Sequence, residues 1–352
     1  MSEPIIPHSR PSLGETEARA AAEVVRSGWL AQGDKVAAFE DAMAKVTGQA
    51  HGVAVSSGTA ALYLALMALG IGSRDEVIIP SYACAALLQA VRQAGARPVP
   101  VDIDAATYNL SPTATARAIT ARTKAVIVVH SFGLPADVAA LKGSGIPLIE
   151  DCAQTLGVPV RGVPVGSVGD LTVCSFYATK MITTGEGGMV LGRRESLIAR
   201  VRALRQYDQQ NTLEPTFNYK MTDVQAALGL CQAARLENFL ARRCAIAARY
   251  TEAVREAGGT PPVVPSGGTH GYFRFVVRTP QPVDSFLERA EKQLRIACRR
   301  PVYKPIHRYL GLSGFPESDA AWERTLSIPI YPALSDGEVD RVVNAIPAML
   351  SG

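Results

Sequence analysis

The hydrophobic positions of this chain form short apolar runs that alternate with longer helix-forming stretches. The runs are nearly continuous in Val, Ile and Leu, without in-and-out alternation, which is typical of parallel strands covered on both faces. Their regular alternation with helices predicts a doubly wound α/β sheet. The expected strands are 53–55, 76–79, 98–101, 125–129 and 147–149, and the expected helices between them are 60–69, 83–94 and 112–119.

Two further helices are expected before the first strand. Ser12 and Glu15 have the spacing of a capping box, in which a hydroxyl and a carboxylate each bind an amide of the first turn. This spacing predicts that an alanine-rich helix starts there and ends near Gly28. Residues 39–46 predict a second helix.

The C-terminal third of the chain has a different pattern. A long helix is predicted over 236–257, followed by a stretch rich in Pro and Gly, a strand at 272–277, a helix, and a final helix that starts at Asp336. We therefore expect a large α/β domain over residues 1–235 and a smaller α+β domain over residues 236–352.

Charge and cysteine content narrow the range of partners. The 36 basic and 32 acidic side chains nearly cancel, so we expect no strong field for nucleic acid or a membrane surface. The six cysteines lack the spacing of a metal site, and buried reduced thiols are expected. Because we find neither a signal peptide nor an apolar run of about 18 to 20 residues, we predict a cytoplasmic protein.

Lys180 lies in a setting suited to covalent chemistry. It follows a strand-like run that ends at Ser175 and precedes the glycine-rich segment 185–188. Glycine loses more conformational freedom on folding than any other residue, so such a turn is costly unless it serves a purpose. The ordinary alternative is a lysine on the surface.

Two other features precede Lys180 in the chain. Gly58 and Thr59 follow a strand and open a helix, where amides, a hydroxyl and the helix dipole can bind a phosphate, although a simple helix cap is the alternative. Asp151 follows the strand 147–149, and its carboxylate could pair with a protonated pyridine nitrogen, cap a helix or form a salt bridge. A phosphate loop, an acid at a strand end and a lysine, in this order, predict a Schiff base between Lys180 and pyridoxal phosphate.

Motifs along nearly the whole chain match one known family. They are 28–33 (GWLAQG) with 39–40 (FE), 54–62 (AVSSGTAAL), 72–82 (GSRDEVIIPSY), 101–104 (VDID), 149–154 (IEDCAQ), 175–180 (SFYATK), 185–189 (GEGGM), 218–229 (NYKMTDVQAALG), 305–307 (PIH) and 326–332 (LSIPIYP). With these motifs the chain resembles the DegT/StrS-type nucleotide-sugar aminotransferases, which are fold-type I pyridoxal phosphate enzymes. The resemblance implies a large domain with a mostly parallel sheet flanked by helices, and a smaller C-terminal α+β domain.

The resemblance also implies cofactor-binding roles for seven residues. Lys180 would form the Schiff base. The others would be Asp151 for the pyridine nitrogen, Gln154 beside the ring and its phenolic oxygen, Gly58, Thr59 and Ser175 for the phosphate, and Asn218 for the phosphate of the other subunit's cofactor. The last role implies a homodimer with shared active sites.

The chain departs from the family pattern at two positions. Cys84 stands where an aromatic residue often stacks on the cofactor ring, and a thiol covers less of a ring face. Lys220 stands where arginine is common, which keeps the charge but loses the planar guanidinium. Family members with histidine in place of the Schiff-base lysine act as dehydratases, and Lys180 argues against that reaction.

The implied reaction is a transamination in two halves, with pyridoxamine phosphate as the form of the cofactor between them. Glutamate is the expected amino donor, and the acceptor is expected to be a nucleotide-linked keto-sugar or a cyclic ketone of the keto-inositol type. Four residues are expected near the acceptor: Trp29, Tyr82, His307 and Lys220. For Trp29, Tyr82 and His307 a structural role is an equal alternative.

Neighbouring basic residues and two other functions complete the sequence interpretation. Arg299, Arg300, Lys304 and Arg308 could meet a diphosphate or form a solvated basic edge. Another fold-type I enzyme, such as a cysteine desulfurase or a glycine-cleaving lyase, would not account for the motif at 305–307. A regulatory protein that binds pyridoxal phosphate without catalysis would not need Lys180.

Overall fold

The computed structural model describes residues 4–208, 215–265 and 268–351 of the 352-residue chain. Its helices are α1 (Glu15–Ser27), α2 (Asp34–Thr47), α3 (Gly58–Ala68), α4 (Ala86–Gln93), α5 (Pro112–Ala118), α6 (Val138–Lys142), α7 (Glu195–Arg205), α8 (Asp223–Ala234), α9 (Leu236–Glu256), α10 (Asp284–Lys292), α11 (Ile306–Tyr309), α12 (Pro316–Arg324) and α13 (Asp336–Leu350). Its strands are β1 (His51–Val55), β2 (Glu76–Pro80), β3 (Arg97–Val101), β4 (Thr123–Val129), β5 (Leu148–Asp151), β6 (Pro159–Val160), β7 (Val163–Pro164), β8 (Leu171–Ser175), β9 (Gly188–Gly192), β10 (Phe275–Arg278) and β11 (Thr325–Ile328).

The main sheet of the described residues has seven strands in the order β1-β9-β8-β5-β4-β2-β3. Strand β9 is antiparallel to both of its neighbours, and the other neighbouring pairs are parallel. Alternate residues of β2 and β4 enter two hydrophobic clusters, one with α3 and α4 and the other with α5 and α6. Helices therefore cover both faces, which explains the continuous apolar runs, and the predicted α/β sheet is confirmed.

Three strands of this sheet end at the same edge. Strands β1 and β8 are both antiparallel to β9, and their last residues, Val55 and Ser175, both pair with Gly188. Strand β5 is parallel to β8 and ends at Asp151. The carboxyl ends of β1, β5 and β8 thus lie together, as a ligand site of an α/β sheet requires.

Two boundaries differ from the sequence prediction. Helix α1 begins at Glu15 with Gly14 as its N-cap residue, and the carboxylate of Glu17 accepts the Gly14 N–H at 2.9 Å. The predicted capping box at Ser12 is wrong because the helix starts two residues later, at Glu15, and Ser12 lies before its N-cap, where the Ser12 carbonyl accepts a hydrogen bond from the side-chain amide of Gln232. The strand predicted from residue 272 begins at 275, because Tyr272 has a φ of 46°, which an extended strand excludes.

A second hydrophobic core surrounds the short sheet of β10 and β11. Helices α9, α10 and α13 and the N-terminal Ile6 contribute to it. Helix α9 joins the two regions, because Phe239 packs into a cluster of the main sheet and Tyr250 into the second core. The domain boundary at residue 235 stays a prediction. Among the described helices, none has the length and apolar character needed to span a membrane.

Candidate active site

The turn from β1 into α3 presents free hydrogen-bond donors at the edge of the sheet. Ser57 is the N-cap residue, and its Oγ accepts the Ala60 N–H at 3.1 Å. The backbone N–H groups of Gly58 and Thr59 belong to the first helical turn and have no intrahelical partner. Within the described residues the Thr59 hydroxyl also has no hydrogen-bond partner. An anion placed here would find amides, a hydroxyl and the positive end of α3.

The end of β8 packs directly against this turn. A Cβ on Gly58 would lie 2.7 Å from the Cβ of Ser175 and 2.9 Å from its Oγ, so only glycine fits. A Cβ on Gly188, the strand partner of Ser175, would overlap the carbonyl of Ser57. These two glycines bring the Ser175 hydroxyl, which has no partner among the described residues, beside the first amides of α3. The set fits a phosphate group.

Asp151 is buried at the end of β5. One carboxylate oxygen accepts the Ala153 N–H at 3.0 Å. Burial raises the pKa of Asp151, and the hydrogen bond from Ala153 together with the charge of Lys180 opposes that rise. A cationic ring nitrogen at this carboxylate would stabilise its ionised form.

His130 and Glu150 form a buried pair close to Asp151, and the sequence interpretation gave neither of them a role. His130 Nδ1 accepts the Ala136 N–H at 2.9 Å, so the ring proton lies on Nε2, which is 3.0 Å from Glu150 Oε2. Burial raises the pKa of Glu150, but the bond from His130 and the N–H groups of Gly169 and Val168 outweigh it and lower that pKa. A signal was available: both residues stand at or near the carboxyl ends of predicted strands.

Gln154 is held by its side-chain oxygen. Oε1 accepts the backbone N–H of Phe132 at 2.8 Å, and Phe132 has the unusual φ of 59° that points this N–H at the amide. The Gln154 NH₂ group is therefore left to donate to another acceptor. A phenolic oxygen is one such acceptor.

Lys180 lies half-buried in the turn after β8. Its backbone N–H donates to the Tyr177 carbonyl at 2.9 Å, and Nζ lies 5.3 Å from the ring centroid of Phe273. Burial lowers the pKa of Lys180, while the charge of Asp151, and to a smaller extent that of Cys84, opposes the shift. The amine is thus brought closer to a neutral, nucleophilic state than a surface lysine.

Cys84 and Asn218 are both exposed, at different places around this edge. Cys84 influences the pKa of Lys180, and its side chain is exposed. Asn218 belongs to a segment anchored beside β1, where the Tyr219 carbonyl accepts the Ser56 N–H at 2.8 Å. Lys220 follows it and lies 3.8 Å from the carboxylate of Asp208.

The remaining residues expected near the acceptor have different surroundings. Trp29 is 82% exposed, whereas Tyr82 is buried and its hydroxyl donates to the Ala321 carbonyl at 3.3 Å. His307 is also buried, with Nδ1 2.6 Å from Ser81 Oγ and Nε2 3.1 Å from an Asp319 oxygen. These contacts are compatible with a structural role, and the roles of Tyr82 and His307 near the acceptor stay predictions.

Comparison with known proteins identifies the family. Residues 11–347 match the profile of the DegT/DnrJ/EryC1/StrS aminotransferase family. The aminotransferase TlmJ from Streptoalloteichus hindustanus is similar at 34% identity and a TM-score of 0.92, over 98% of this chain and 99% of TlmJ. DesV of S. venezuelae, solved with a ketimine intermediate, has 32% identity and a TM-score of 0.90, over 96% of this chain and 94% of DesV.

A third relative has been solved in three cofactor states. Spr1654 from Streptococcus pneumoniae, a candidate sugar aminotransferase, has structures in PMP, PLP and apo forms. In its PMP form it is 28% identical to this chain, with a TM-score of 0.92, over 98% of this chain and 97% of Spr1654. The chain therefore belongs to the DegT/DnrJ/EryC1/StrS aminotransferase family, and it is a pyridoxal phosphate-dependent aminotransferase.

Proposed function

We propose that this enzyme moves an amino group from an amino acid, with glutamate as the first candidate, to a keto-sugar carried on a nucleotide. One observation carries the proposal: a half-buried amine, a buried carboxylate and a set of unpartnered donors meet at the carboxyl edge of the sheet. Lys180, Asp151 and Gly58 represent these three parts. Together they match the three functional groups of pyridoxal phosphate, namely its aldehyde, its ring nitrogen and its phosphate.

Each part of the cofactor would be held by chemistry suited to it. The amides of Gly58 and Thr59 and the Ser175 hydroxyl would bind the phosphate, because they are donors without another partner. Asp151 would pair with the ring nitrogen, and the free NH₂ group of Gln154 would donate to the phenolic oxygen. These placements are our proposals for the residues that bind the cofactor.

The chain's own residues would then perform the proton transfers. When bound, pyridoxal phosphate withdraws electrons from the carbon that bears the amino group. Asp151 would strengthen this withdrawal by keeping the ring nitrogen protonated. Lys180 Nζ would take the proton from the donor's carbon and return one later, and its lowered pKa suits a general base. Cys84 would lie near the path of this proton, but its thiol would not offer the cofactor ring the stacking surface of an aromatic side chain.

Support for a sugar acceptor comes from the relatives and from a basic cleft. Spr1654 is described as a candidate sugar aminotransferase. A cleft of about 610 Å³ is lined by Arg300, Lys304 and Arg308 among others. The two arginines pair with acids, whereas Lys304 has no carboxylate within salt-bridge distance among the described residues and provides positive charge for a diphosphate. A cyclic ketone of the keto-inositol type is the second candidate. The enzyme would select such an uncharged acceptor by the shape of its pocket rather than by charge.

A homodimer with shared sites is part of the proposal. Asn218 is exposed although its segment is anchored at the end of β1, so its amide is free to reach a neighbouring subunit. Mixing a Lys180→Ala variant with an Asn218→Ala variant under exchanging conditions tests this role. Shared sites predict that activity returns, because half of the sites in hybrid dimers contain both native residues. Two inactive parents that stay inactive after exchange would contradict it.

The acceptor class is tested by loading the enzyme as pyridoxamine phosphate and adding candidate ketones. We expect keto-sugar nucleotides to restore the spectrum of the pyridoxal form, with cyclic ketones as the comparison. Conversion by glutamate in the opposite direction separates an enzyme from a regulatory binding protein. If no amino acid and no ketone changes the cofactor spectrum, the proposed function is wrong.

A further inference from the structure

A second cation shares an aromatic ring with Lys180. The guanidinium carbon of Arg274 lies 5.1 Å from the ring centroid of Phe273, and Lys180 Nζ lies 5.3 Å from the same centroid. The charge of Arg274 contributes to lowering the pKa of Lys180, so the two groups are electrostatic neighbours. Sequence interpretation gave Arg274 no role, because it stands alone in an apolar strand region.

Arg274 is held in place by a neutral group. Its Nη1 lies 3.1 to 3.2 Å from the ring nitrogens of His8, and His8 Nε2 is 2.9 Å from Ser327 Oγ. Burial, followed by the charges of Arg274 and Arg299, lowers the pKa of His8 to about 3, so the imidazole is neutral at physiological pH. The contact therefore orients the guanidinium without neutralising it.

The other arginines of the same cleft have acidic partners. Arg299 lies 2.7 Å from Glu291, Arg308 lies 2.6 Å from Asp319, and Arg300 binds Asp284 with two nitrogens. For Arg274, no carboxylate of the residues 4–208, 215–265 and 268–351 is within salt-bridge distance.

The lack of an acidic partner for Arg274 among the described residues makes its charge costly in free energy. Burial lowers its pKa to about 10, which reflects the cost of holding a charge away from water. A half-buried cation without a counter-ion is less stable than a paired one, and a bound anion would remove part of that cost. Because Arg274 lines the cleft and shares the Phe273 ring with Lys180 Nζ, we expect that anion to belong to a molecule bound in the active site.

We propose that Arg274 binds the α-carboxylate of the amino donor, an inference that rests on the proposed function. The donor carbon must lie at Lys180 Nζ for its proton to be removed, and the α-carboxylate is bonded directly to that carbon. The group that recognises this carboxylate must therefore be within reach of that carbon, and Arg274 meets this condition because its guanidinium carbon and Lys180 Nζ, both near the Phe273 ring, are no more than about 10 Å apart. A nucleotide diphosphate is separated from its ketone by several bonds and would reach further into the cleft.

The test compares two anions in the pyridoxal phosphate form of the full-length enzyme, to which 2-oxoglutarate binds without being aminated. Dissociation constants are measured by calorimetry for 2-oxoglutarate, which keeps the donor's carboxylate, and for UDP, which carries a diphosphate. Losing a charged hydrogen-bond pair typically weakens binding about 10- to 150-fold. We expect Arg274→Gln to weaken 2-oxoglutarate binding by such a factor, while UDP binding changes less than about 2-fold.

Two variants serve as controls. Arg278→Gln makes the same charge change at the exposed end of β10, where Arg278 lies over the Tyr108 ring, and should leave both constants unchanged. Arg274→Lys keeps the charge but loses the planar fork, and should weaken 2-oxoglutarate binding by less than Arg274→Gln. Thermal unfolding and the cofactor spectrum establish that each variant is folded and loaded.

The possible outcomes separate this inference from the proposed function. Unchanged 2-oxoglutarate binding in a folded Arg274→Gln enzyme overturns the role of Arg274 while leaving the transaminase proposal intact. Weakening of UDP alone, or of both ligands equally, also overturns it and assigns Arg274 to phosphate. A wild-type enzyme that neither binds 2-oxoglutarate nor reacts with any amino acid overturns both proposals.

Discussion

Gly58 and Ser175 are in contact across the carboxyl edge of the sheet, so closely that a Cβ on Gly58 would lie 2.7 Å from the Cβ of Ser175. One residue opens a helix and the other ends a strand that is more than a hundred positions later in the chain. Their contact places helix amides and a hydroxyl in one donor set. The phosphate-binding role proposed for both residues depends on this packing.

Gly58→Ala should disturb the donor set directly. The added methyl group has no room, and overpacking of this kind lowers the free energy of unfolding by about 1–3 kcal/mol. We also expect the dissociation constant of pyridoxal phosphate to rise, because Ser175 must move. Fluorescence titration and chemical denaturation measure the two effects.

Gly143→Ala is the matched control for that substitution. Gly143 has a right-handed helical conformation, and no atom lies within 4 Å of a Cβ built there. Its substitution should change stability by no more than about 0.5 kcal/mol. If Gly58→Ala and Gly143→Ala bind the cofactor equally well, the donor set is not where we propose.

Asp151→Asn should separate catalysis from stability. The raised pKa of Asp151 means that its ionised form is disfavoured in the folded protein, so the carboxylate's contribution to stability is lost as pH rises through that pKa. At neutral pH the cofactor-free Asn variant should therefore be at least as stable as the wild type. The rate of each half-reaction should fall about 10²- to 10³-fold, as for loss of other preorganised electrostatic groups.

Stopped-flow spectra and denaturation curves of the same preparation provide both readings for Asp151→Asn. A variant with normal rates would remove Asp151 from the cofactor site. A variant that is strongly destabilised without cofactor would show that the carboxylate serves the fold instead.

His307 should behave as a structural residue. Its two ring nitrogens contact Ser81 and Asp319, and its ring stacks on Phe315 with centroids 4.5 Å apart. His307→Ala would leave Ser81 without this partner, and we expect a loss of about 2–3 kcal/mol in the free energy of unfolding. Denaturation curves check this, with the exposed His51→Ala as control. A normal unfolding curve combined with a raised KM for the acceptor would favour a substrate role.

His270 should make stability depend on pH in the acid range. Burial lowers its pKa from 6.5 to about 3, so the unfolded state binds one more proton between these values. Stability is therefore complete above pH 6.5 and is lost as pH falls, by about 1.4 kcal/mol per pH unit for one proton.

The matching variant for this pH dependence is His270→Gln. Denaturation curves between pH 4 and 7 should give a slope that is smaller by about one proton than in the wild type. His8, whose pKa is also lowered to about 3, adds a contribution of the same sign in both proteins. Identical slopes would mean that His270 is protonated in the folded state.

The sheet could be predicted from the sequence alone because the pattern that indicates each strand lies within a few neighbouring residues. Each apolar run forms one strand, and the order of strands and helices fixes the α/β class, so Gly58, Asp151 and Ser175 could be assigned to strand ends. The antiparallel direction of β9 was not predicted, since Gly188–Gly192 reads like any other buried run. Direction depends on the turn before it, whose glycines have positive φ.

Other properties of the site depend on contacts between distant segments. His130 and Glu150 pair across two strands, and the pairing needs the strand register that folding creates. Arg274 differs from the neighbouring Arg300 because no acid of the described residues packs beside Arg274, whereas Arg300 pairs with Asp284. No local pattern distinguishes these two arginines, so their difference in charge compensation is visible only in three dimensions.

Lys180 is the residue on which the whole account depends, and the most direct measurement is the site of its covalent attachment. Borohydride reduction of the holoenzyme, proteolysis and peptide mass spectrometry locate the lysine that carries the cofactor. We predict a single modified peptide with the added mass on Lys180, and no modified peptide from Lys180→Ala. Attachment at another lysine, or no attachment in a wild-type enzyme saturated with pyridoxal phosphate, would contradict the account.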